Sequence, residues 1–377
     1  MNTILQIISD TNIGGGGRSL LNYLRYEDRS RFRSHVVLPR GSALKERIQA
    51  LDVPVYEIDA MADRSMDAKA IVPLRKLIKQ INPDLVHTHG SMAGRLAARL
   101  CGRRVVYTKH CAFAPGAVLS SPPGRLAGRL LDACLSDGVI AVGPSAKEVL
   151  TQAGVPEKKI YEFLNGVTAL DRPSPQERAE LRAGYGFEKD DFVLGILARV
   201  EEYKGHDTLF DAAEKLWAQG RKVKLLVAGE GSQEHQLRLR ALTFPPGTVF
   251  FTGFVEDVRR ALWAMDVQVN ASTQSETSSL SLLEGMSIGL PAVVSDVGGN
   301  PLLIQDGENG LVFPRRDSGA LAQCVERLMD EPKLLKKMSR RSEEIFQEKF
   351  TGESFAKHVE DVYRDVLKGA KHGTEKS

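Results

Sequence analysis

Short β-branched runs alternate with longer helical segments along almost the whole chain, and this alternation limits the possible folds more than any other feature of the sequence. The first runs are TILQIIS, SHVVLP, DLVHTH, RVVYTK and GVIAVG, with helical segments such as IVPLRKLIKQI between them. Repeated βαβ units of this kind form parallel sheets with helices on both faces. The pattern therefore predicts an α/β protein.

A charged segment with two prolines, between Asn165 and Asp190, interrupts the alternation once. A second set of strands then begins with FVLGILARV, KVKLLVAG, TVFFTGF, VQVNAST and PAVVSD. A chain of 377 residues is long enough for two buried cores. We expect two doubly wound domains, over residues 1–168 and 169–351. The tail has apolar residues at helical spacing, which predicts an amphipathic helix over 352–370, followed by a disordered KHGTEKS.

The composition excludes several classes of protein. With 42% apolar and 26% charged residues, the chain is neither intrinsically disordered nor collagen-like. It has no apolar run long enough to span a bilayer, and its start lacks the basic region of a signal peptide, so we expect a cytoplasmic protein. The four cysteines lack the spacing of a zinc site or a disulfide framework. They are Cys101, Cys111, Cys134 and Cys324.

Charge is distributed unevenly between the two halves. Residues 1–168 contain 23 Lys and Arg against 15 Asp and Glu, whereas the rest of the chain is net acidic. A basic half is compatible with a nucleic-acid surface, with an anionic membrane, or with solubility alone.

Three segments carry candidate binding residues at strand ends, where open parallel sheets bind ligands. The run GGGG includes Gly15 and Gly16 just before a predicted helix, and it suits either an anion or a flexible turn. Arg199 lies at the end of the strand ILARV and Lys204 follows five residues later, and two such cations can hold both halves of a diphosphate.

The segment QSETSSLSLLEGMSIGLPAVVSD is the most informative. Glu276 lies in a hydroxyl-rich loop and Glu284 in the second turn of a helix expected to begin near Ser278 or Ser279. This combination can offer one carboxylate to sugar hydroxyls, a second to a ribose, and helix-end N–H groups to a phosphate. We therefore expect the helix-start residues Ser278, Ser279 and Leu280 to bind the same ligand.

His87 and His89 alternate on the strand DLVHTH and so point the same way. Two histidines without a third nearby ligand rarely form a metal site, and we expect structural or acceptor-side roles for them.

Taken in order, GGGG, TKH, NGV, LARVEEYKG, the two spaced glutamates, GLPAVVSDVGGN and DGENGLVF resemble the retaining glycosyltransferases of the glycogen-synthase-like superfamily, especially the bacterial group that assembles surface glycans. The resemblance covers nearly the whole chain and implies the GT-B fold: two Rossmann-like domains facing a cleft, with the last helix crossing back onto the first domain.

The resemblance also implies roles for individual residues. Arg199 and Lys204 would bind the donor diphosphate, Glu284 the ribose and Glu276 hydroxyls of the donor sugar. Gly15 and Gly16 would approach the phosphates or the transferring sugar, and His110 would lie beside that sugar.

The activity expected from these residues is retaining transfer of a sugar from a nucleoside diphosphate sugar to a saccharide or lipid-linked acceptor, without a metal or other cofactor. Two alternatives remain: a nucleotide-sugar 2-epimerase of the same architecture, and a non-catalytic basic binding protein, although no nucleic-acid-binding motif is present.

An anionic inner-leaflet lipid is a further expected partner. Residues 103–129 read RRVVYTKHCAFAPGAVLSSPPGRLAGR, which we interpret as a strand followed by an apolar loop flanked by cations. Such a segment suits peripheral contact with a bilayer, or folding over its own domain. The cations are Arg103, Arg104, Lys109, Arg125 and Arg129.

Overall fold

Strands pair in parallel in both sheets of the protein, and each sheet belongs to one of two compact units. The computed structural model describes residues 1–59, 61, 65–113 and 121–369, without the side chain of Arg125. The first unit comprises Met1–Val167 together with the chain from Gly352 onward, and the second comprises Thr168–Thr351. The tail expected to be disordered lies outside the described residues.

The first unit surrounds one sheet with helices. Its strands are β1 (Asn2–Ile8), β2 (Phe32–Pro39), β3 (Val55–Ile58), β4 (Leu85–His89), β5 (Arg104–Lys109), β6 (Gly138–Val142) and β7 (Ile160–Phe163). Its helices up to the domain link are α1 (Gly15–Tyr26), α2 (Lys45–Gln49), α3 (Ala68–Ile81), α4 (Met92–Arg99), α5 (Pro122–Leu135) and α6 (Pro144–Gln152), with a 3-10 turn at Glu157–Lys159. Within the described residues the strand order is β3-β2-β1-β4-β5-β6-β7.

The second unit repeats this arrangement. Its strands are β8 (Phe192–Leu197), β9 (Val223–Ala228), β10 (Val249–Gly253), β11 (Val267–Asn270), β12 (Ala292–Ser295) and β13 (Gly310–Phe313). Its helices are α7 (Pro175–Gly184), α8 (His206–Ala218), α9 (Glu234–Ala241), α10 (Val258–Ala264), α11 (Leu280–Ser287), α12 (Asn300–Leu303), α13 (Ser318–Asp330) and α14 (Pro332–Lys349), with a 3-10 turn at Glu202–Lys204. The strand order across the described sheet is β10-β9-β8-β11-β12-β13.

In each sheet, successive strands are added first on one side of the starting strand and then on its other side. We call this point the sheet reversal, and it positions the candidate site. In the first sheet β1 lies between β2 and β4, and in the second β8 lies between β9 and β11. The loops after β1 and β4, or after β8 and β11, therefore lead away in opposite directions and leave a crevice at the carboxyl ends of the strands. The glycine run follows β1, Arg199 and Lys204 follow β8, and Glu276 follows β11.

The central strands are apolar because both of their faces are covered. Every residue of β4 and β6 is buried. This matches the near-continuous hydrophobic runs from which we predicted parallel sheets.

The last helix, α15 (Gly352–Lys368), packs against α1 and completes the core of the first unit. The ring of Tyr363, which is fully buried, lies 5.8 Å from the ring of Tyr23 and 5.7 Å from that of Phe32, measured between centroids. At its start, a Cβ added to Gly352 would lie 2.1 Å from the ring of Tyr26, so a larger residue would have to displace that ring. The buried apolar residues of α15 are Phe355, Ala356, Val359, Val362, Tyr363 and Val366.

The segment interpreted as a loop up to residue 129 is partly helical, which corrects that expectation. Helix α5 begins at Pro122, with the Ser121 hydroxyl accepting a hydrogen bond from the Gly124 amide. Serine followed by two prolines is a helix start, because proline is pre-organised for the first helical turn. Residues 114–120 of that segment lie outside the described residues.

Candidate active site

In the second unit, an ion pair joins the two loops at the sheet reversal. The Lys204 ammonium Nζ lies 2.8 Å from Oε2 of Glu276, and the two side chains are only 18% and 8% exposed. The same oxygen accepts hydrogen bonds from the Ser272 hydroxyl at 2.7 Å and from the Asn270 amide at 3.3 Å. A carboxylate that receives three donors is held in one orientation.

Gly205 allows the lysine loop to approach the end of β11 closely. Its φ is +71°, and a Cβ at this position would lie 2.0 Å from the carbonyl oxygen of Ala271. Any larger residue would push the two loops apart.

Tyr203 lies beside both cations of the lysine loop. The guanidinium of Arg199 is 5.7 Å from the Tyr203 ring centroid and the Lys204 ammonium is 5.5 Å from it. Arg199 also donates a hydrogen bond to the Tyr203 hydroxyl. Because cations are attracted to the face of an aromatic ring, Tyr203 favours keeping two positive charges side by side.

Helix α11 begins at the carboxylate loop, as the sequence predicts. Ser279 is its N-cap and accepts a hydrogen bond from the Leu282 amide at 3.4 Å, while the Asn270 amide donates to the same hydroxyl. Glu276, Thr277, Ser278 and Ser279 are buried, Leu280 is half-buried, and Glu284 is buried in the second turn.

The loop that carries Glu276 also rests on Gly299. The Gly299 amide donates to the Glu276 carbonyl at 3.1 Å, and a Cβ on Gly299 would lie 1.7 Å from the Thr277 carbonyl oxygen. The backbone position of Glu276 therefore depends on glycine at residue 299.

In the first unit the glycine run starts α1 at the sheet reversal. The N-cap Gly14 has an extended backbone and no side-chain hydrogen bond to the helix start. A Cβ on Gly15 would meet nothing within 4 Å, whereas one on Gly16 would lie 3.3 Å from the His110 ring and 3.4 Å from an Asp10 oxygen. The structure thus brings Gly16 and His110 together and leaves Gly15 with open space above it.

His110, immediately after β5, is hydrogen-bonded to a chain of buried polar groups. Its Nε2 lies 2.9 Å from Nδ1 of His89, and His89 Nε2 lies 3.1 Å from Oε1 of Gln6. The Tyr363 hydroxyl accepts a hydrogen bond from Gln6 Nε2 at 3.0 Å and lies 2.6 Å from Nδ1 of His87.

Burial makes these histidines poor bases. Desolvation lowers the pKa of His110 to about 4 and that of His87 to about 3, and it holds the pKa of His89 well below the usual range. All three rings are therefore neutral at pH 7. Within the described residues, no group of three or more His, Cys, Asp or Glu side chains is arranged to hold a metal ion.

Several polar residues of these sites were not among the sequence-based candidates. Asn270 and Ser272 fix Glu276, Tyr203 lies beside the cations, and Gln6 and Tyr363 continue the chain from His110. The sequence signal for Gln6 was present, because a lone amide in the apolar run TILQIIS needs buried partners. No comparable signal marks Tyr363, which sits on an ordinary amphipathic helix.

Solved structures share this architecture over nearly the whole chain. HepE of Anabaena, solved in complex with UDP-glucose, covers 97% of this chain and is itself covered completely, with a TM-score of 0.81 and 21% sequence identity. The protein thus has the GT-B fold, with two doubly wound units that are each built around a parallel sheet whose strand order reverses once.

Sequence comparison defines the family. Residues 177–345 match the family described as glycosyl transferases group 1, and residues 13–169 match glycosyltransferase family 4. EpsD of Bacillus subtilis, named as a glycosyltransferase, is 31% identical over 313 residues, which are 78% of this chain and 80% of EpsD. The chain belongs to the group 1 glycosyltransferases.

A second relative is named for its substrates. It is the UDP-Gal:alpha-D-GlcNAc-diphosphoundecaprenol alpha-1,3-galactosyltransferase of Escherichia coli, 27% identical over 319 residues that cover 80% of each chain.

Proposed function

We propose that this glycosyltransferase transfers a sugar from a nucleoside diphosphate sugar to a saccharide or lipid-linked acceptor during assembly of a bacterial surface glycan, with retention of anomeric configuration and without a metal ion. The observation that carries the proposal is the Lys204–Glu276 pair, a cation and a carboxylate held 2.8 Å apart at the sheet reversal.

In this proposal, groups of the donor replace the present partners of Lys204, Arg199 and Glu276. The diphosphate binds the Lys204 ammonium and the Arg199 guanidinium, and sugar hydroxyls donate hydrogen bonds to Glu276. Negative charge grows on the diphosphate as the glycosidic bond breaks, so cations fixed beforehand stabilise the transition state more than the ground state.

The start of α11 supplies the remaining donor contacts. The N–H groups of Ser278, Ser279 and Leu280 point toward phosphate oxygens, and the Glu284 carboxylate accepts hydrogen bonds from the ribose hydroxyls. A helix N-terminus favours an anion through its free N–H groups and its dipole.

The first unit contributes Gly15, Gly16 and His110 beside the transferring sugar. Attack by the acceptor hydroxyl from the face that the diphosphate leaves, through an oxocarbenium-like transition state, is what the family resemblance implies. The departing diphosphate then lies close enough to accept the acceptor's proton.

A lipid-linked acceptor is favoured over a soluble one by two observations. The galactosyltransferase of Escherichia coli is named for a diphosphoundecaprenol acceptor. In addition, α5 exposes Leu126 and Leu130, each to 59%, beside the exposed Arg129. Apolar residues next to cations suit an anionic membrane surface, so we place the enzyme on the cytoplasmic face of the membrane.

The test is a screen for nucleoside diphosphate release across common sugar nucleotides, with and without lipid extracts, in the presence and absence of EDTA. We expect release that depends on the lipid extract and persists with EDTA, and a product whose anomeric proton coupling in NMR matches that of the donor sugar. Inversion at the anomeric carbon of the transferred sugar would exclude retention. Loss of transfer with EDTA would exclude metal independence. Release of a free epimer without acceptor would favour a 2-epimerase.

A further inference from the structure

Helix α14 of the second unit carries a row of cations along one face. Residues three, four and seven positions apart lie on the same side of a helix, and four basic residues of α14 have this spacing. All four are exposed, and the row extends about 10 Å along the helix axis. We call this row the basic stripe, and it consists of Lys333, Lys336, Lys337 and Arg340.

The basic stripe has no acidic partner. Among the described residues, no Asp or Glu side chain lies within ion-pair distance of its four cations. By contrast, the guanidinium of Arg341, the next residue of α14, lies 3.4 Å from the carboxylate of Glu308 and 3.2 Å from that of Glu344. Arg240 on α9 is likewise 2.9 Å from Glu214. The stripe therefore differs from other helix cations of the same unit.

The charges of the basic stripe oppose formation of α14. Its members lie three or four residues from one another, and like charges at this spacing destabilise a helix. Lys333 lies in the first turn, whose free N–H groups carry a partial positive charge, and no acidic residue lies in that turn. Glu331, just before the helix, pairs with Arg327 at 3.2 Å instead. An anion bound along the stripe would relieve this repulsion.

A surface groove of about 620 Å³ lies beside the basic stripe. Its volume is within the range of about 300–1,000 Å³ that is typical of small-molecule pockets. Five cations and two carboxylates line it, and both carboxylates are paired with Arg341. The unpaired charge of the stripe thus faces a concave space, which complements a compact anion. The lining residues are Glu308, Lys333, Lys336, Lys337, Arg340, Arg341 and Glu344.

The groove and the candidate active site lie at opposite edges of the second sheet. Glu308 comes just before β13, at the amino end of that strand. Lys204 and Glu276 come after the carboxyl ends of β8 and β11. These strands are joined through β12 by parallel pairing only, so their amino ends form one edge of the sheet and their carboxyl ends the other. A ligand in the groove would bind apart from the sugar donor.

The chemistry of the basic stripe fits a soluble compound with several phosphate groups. Lysine and arginine form charge-assisted hydrogen bonds to phosphate oxygens, and cations spread over about 10 Å can contact more than one phosphate. Contact with a bilayer would favour apolar side chains beside the cations. From residue 303 to residue 369, all of which the structure describes, no large apolar side chain is exposed. The surface therefore favours a soluble anion over a membrane.

We propose that the basic stripe is a second anion site of this chain and binds a soluble compound that carries two or more phosphate groups. The site goes beyond the proposed glycosyl transfer and does not depend on it. Because contacts between cations and phosphates hold the ligand, affinity should rise from inorganic phosphate to pyrophosphate to tripolyphosphate.

The test is calorimetry with these three probes at low ionic strength. The stripe variant, Lys336→Gln with Lys337→Gln, removes two cations and keeps residues of good helix propensity. It should bind tripolyphosphate about tenfold or more weakly than the wild type, because charged hydrogen bonds are lost. The control variant, Lys189→Gln with Lys222→Gln, makes the same charge change at two exposed lysines of the second unit and should keep the wild-type affinity.

Thermal unfolding gives a second readout, followed by the fluorescence of Trp217 and Trp263, which both lie in the second unit. Without a probe, the stripe variant should melt about 2–4 °C above the control variant, because repulsion along α14 is reduced. Tripolyphosphate should raise the melting temperature of the control variant by more than that of the stripe variant.

Equal affinities of the stripe and control variants for tripolyphosphate would overturn the inference. Loss of tripolyphosphate binding in Lys204→Ala would also overturn it, because the probe would then occupy the candidate active site. A stripe variant that melts no higher than the control would contradict the repulsion from which the site is argued. If the wild type does not bind tripolyphosphate and only the stripe variant fails to sediment with anionic vesicles, the stripe contacts a membrane instead.

Discussion

Lys204 and Glu276 neutralise each other in a partly buried position, and this pairing gives each residue a separate test. An exposed ion pair contributes little to stability, whereas a buried charge without a partner is unfavourable. Removing Lys204 leaves Glu276 with the Ser272 and Asn270 donors. Removing Glu276 leaves the Lys204 ammonium without its carboxylate partner, so it is available to bind another anion.

Lys204→Ala should lower the rate of transfer by about 10²–10³ with little change in thermal stability, because a cation that stabilises the leaving diphosphate is lost. Steady-state kinetics with the best donor of the screen measures the effect. Lys215→Ala is the matched control, since Lys215 is an exposed lysine on α8 of the same unit. Similar rates for the two variants would refute the assignment of Lys204 to the diphosphate.

The two glutamates should separate in calorimetry with UDP or GDP. Glu284→Ala should weaken binding of the free nucleotide, because a ribose is present with or without the sugar. Glu276→Ala should retain or strengthen nucleotide binding, since it frees the Lys204 ammonium, and should still impair transfer. Equal losses of nucleotide affinity in the two variants would contradict this division of roles.

The buried histidines predict a pH dependence of stability that differs between the units. His87 and His110 have pKa values lowered to about 3 and 4 by burial, and the pKa of His89 is also lowered, whereas in the unfolded chain each titrates near 6.5. The unfolded state binds more protons below pH 6.5, so the free energy of unfolding falls as the pH drops from about 6.5 toward 4. In the second unit His206 has a pKa lowered to about 4.

Denaturant unfolding at pH 7 and pH 5 checks this prediction. Trp217 and Trp263, the two tryptophans of the chain, lie in the second unit, so their fluorescence follows that unit while circular dichroism follows both. We expect the circular dichroism transition to move to lower denaturant at pH 5 by more than the fluorescence transition. An equal shift of the two signals would show that His87, His89 and His110 do not dominate the pH dependence of stability.

Residue types and spacings were enough to select Arg199, Lys204, Glu276 and Glu284 as candidates, but the hydrogen bonds between site residues could not be predicted. Gln6 is bonded to His89, 83 residues away, and to Tyr363, 357 residues away. Such partners depend on the register of β1 against β4 and on where the last helix docks. Neither leaves a periodic signal in the sequence.

At the scale of elements, helix α1 offers a test in which fold and ligand can be separated. A Cβ on Gly15 meets nothing within 4 Å, and alanine is favoured over glycine in a helix. Gly15→Ala should therefore fold with unchanged or slightly higher thermal stability. If this backbone approaches the phosphates or the sugar, transfer should nevertheless fall.

Gly184→Ala is the control for Gly15→Ala, because Gly184 ends α7 and an added Cβ there also meets nothing within 4 Å. This control should leave transfer unchanged. Full activity of Gly15→Ala would exclude close approach of the ligand to Gly15.

Element types were predictable because buried parallel strands have a strong sequence signature. The continuous apolar run GVIAVG became β6, with every residue buried, and Ser279 begins α11 as its capping chemistry suggests. The start of α5 was not predicted, because the two prolines after Ser121 were interpreted as part of a loop rather than as the first turn of a helix.

At the scale of the whole molecule, the basic first half gives a prediction about membranes. Residues 1–168 hold 23 Lys and Arg against 15 Asp and Glu, and α5 adds exposed leucines. Co-sedimentation should show binding to anionic but not neutral liposomes, weakened by salt, since each cation near such a surface contributes about 1 kcal/mol. Arg129→Glu with Leu130→Ser should weaken this binding.

Lys215→Glu with Leu242→Ser makes the matching changes in the acidic second unit, where Leu242 is 80% exposed, and should leave liposome binding unchanged. Absence of binding at low salt would refute membrane contact and leave glycosyl transfer unaffected.

The position of α15 in the first unit has a consequence for synthesis on the ribosome. The chain from Thr168 to Thr351, which forms the second unit, is translated between β7 and α15. At about 5–20 residues per second, the nascent first unit waits about 10–40 s for the helix that covers Tyr23 and Phe32. During this time an apolar face is open to chaperones and to other nascent chains, so a ribosome that stalls before Gly352 releases a first unit that is prone to aggregate.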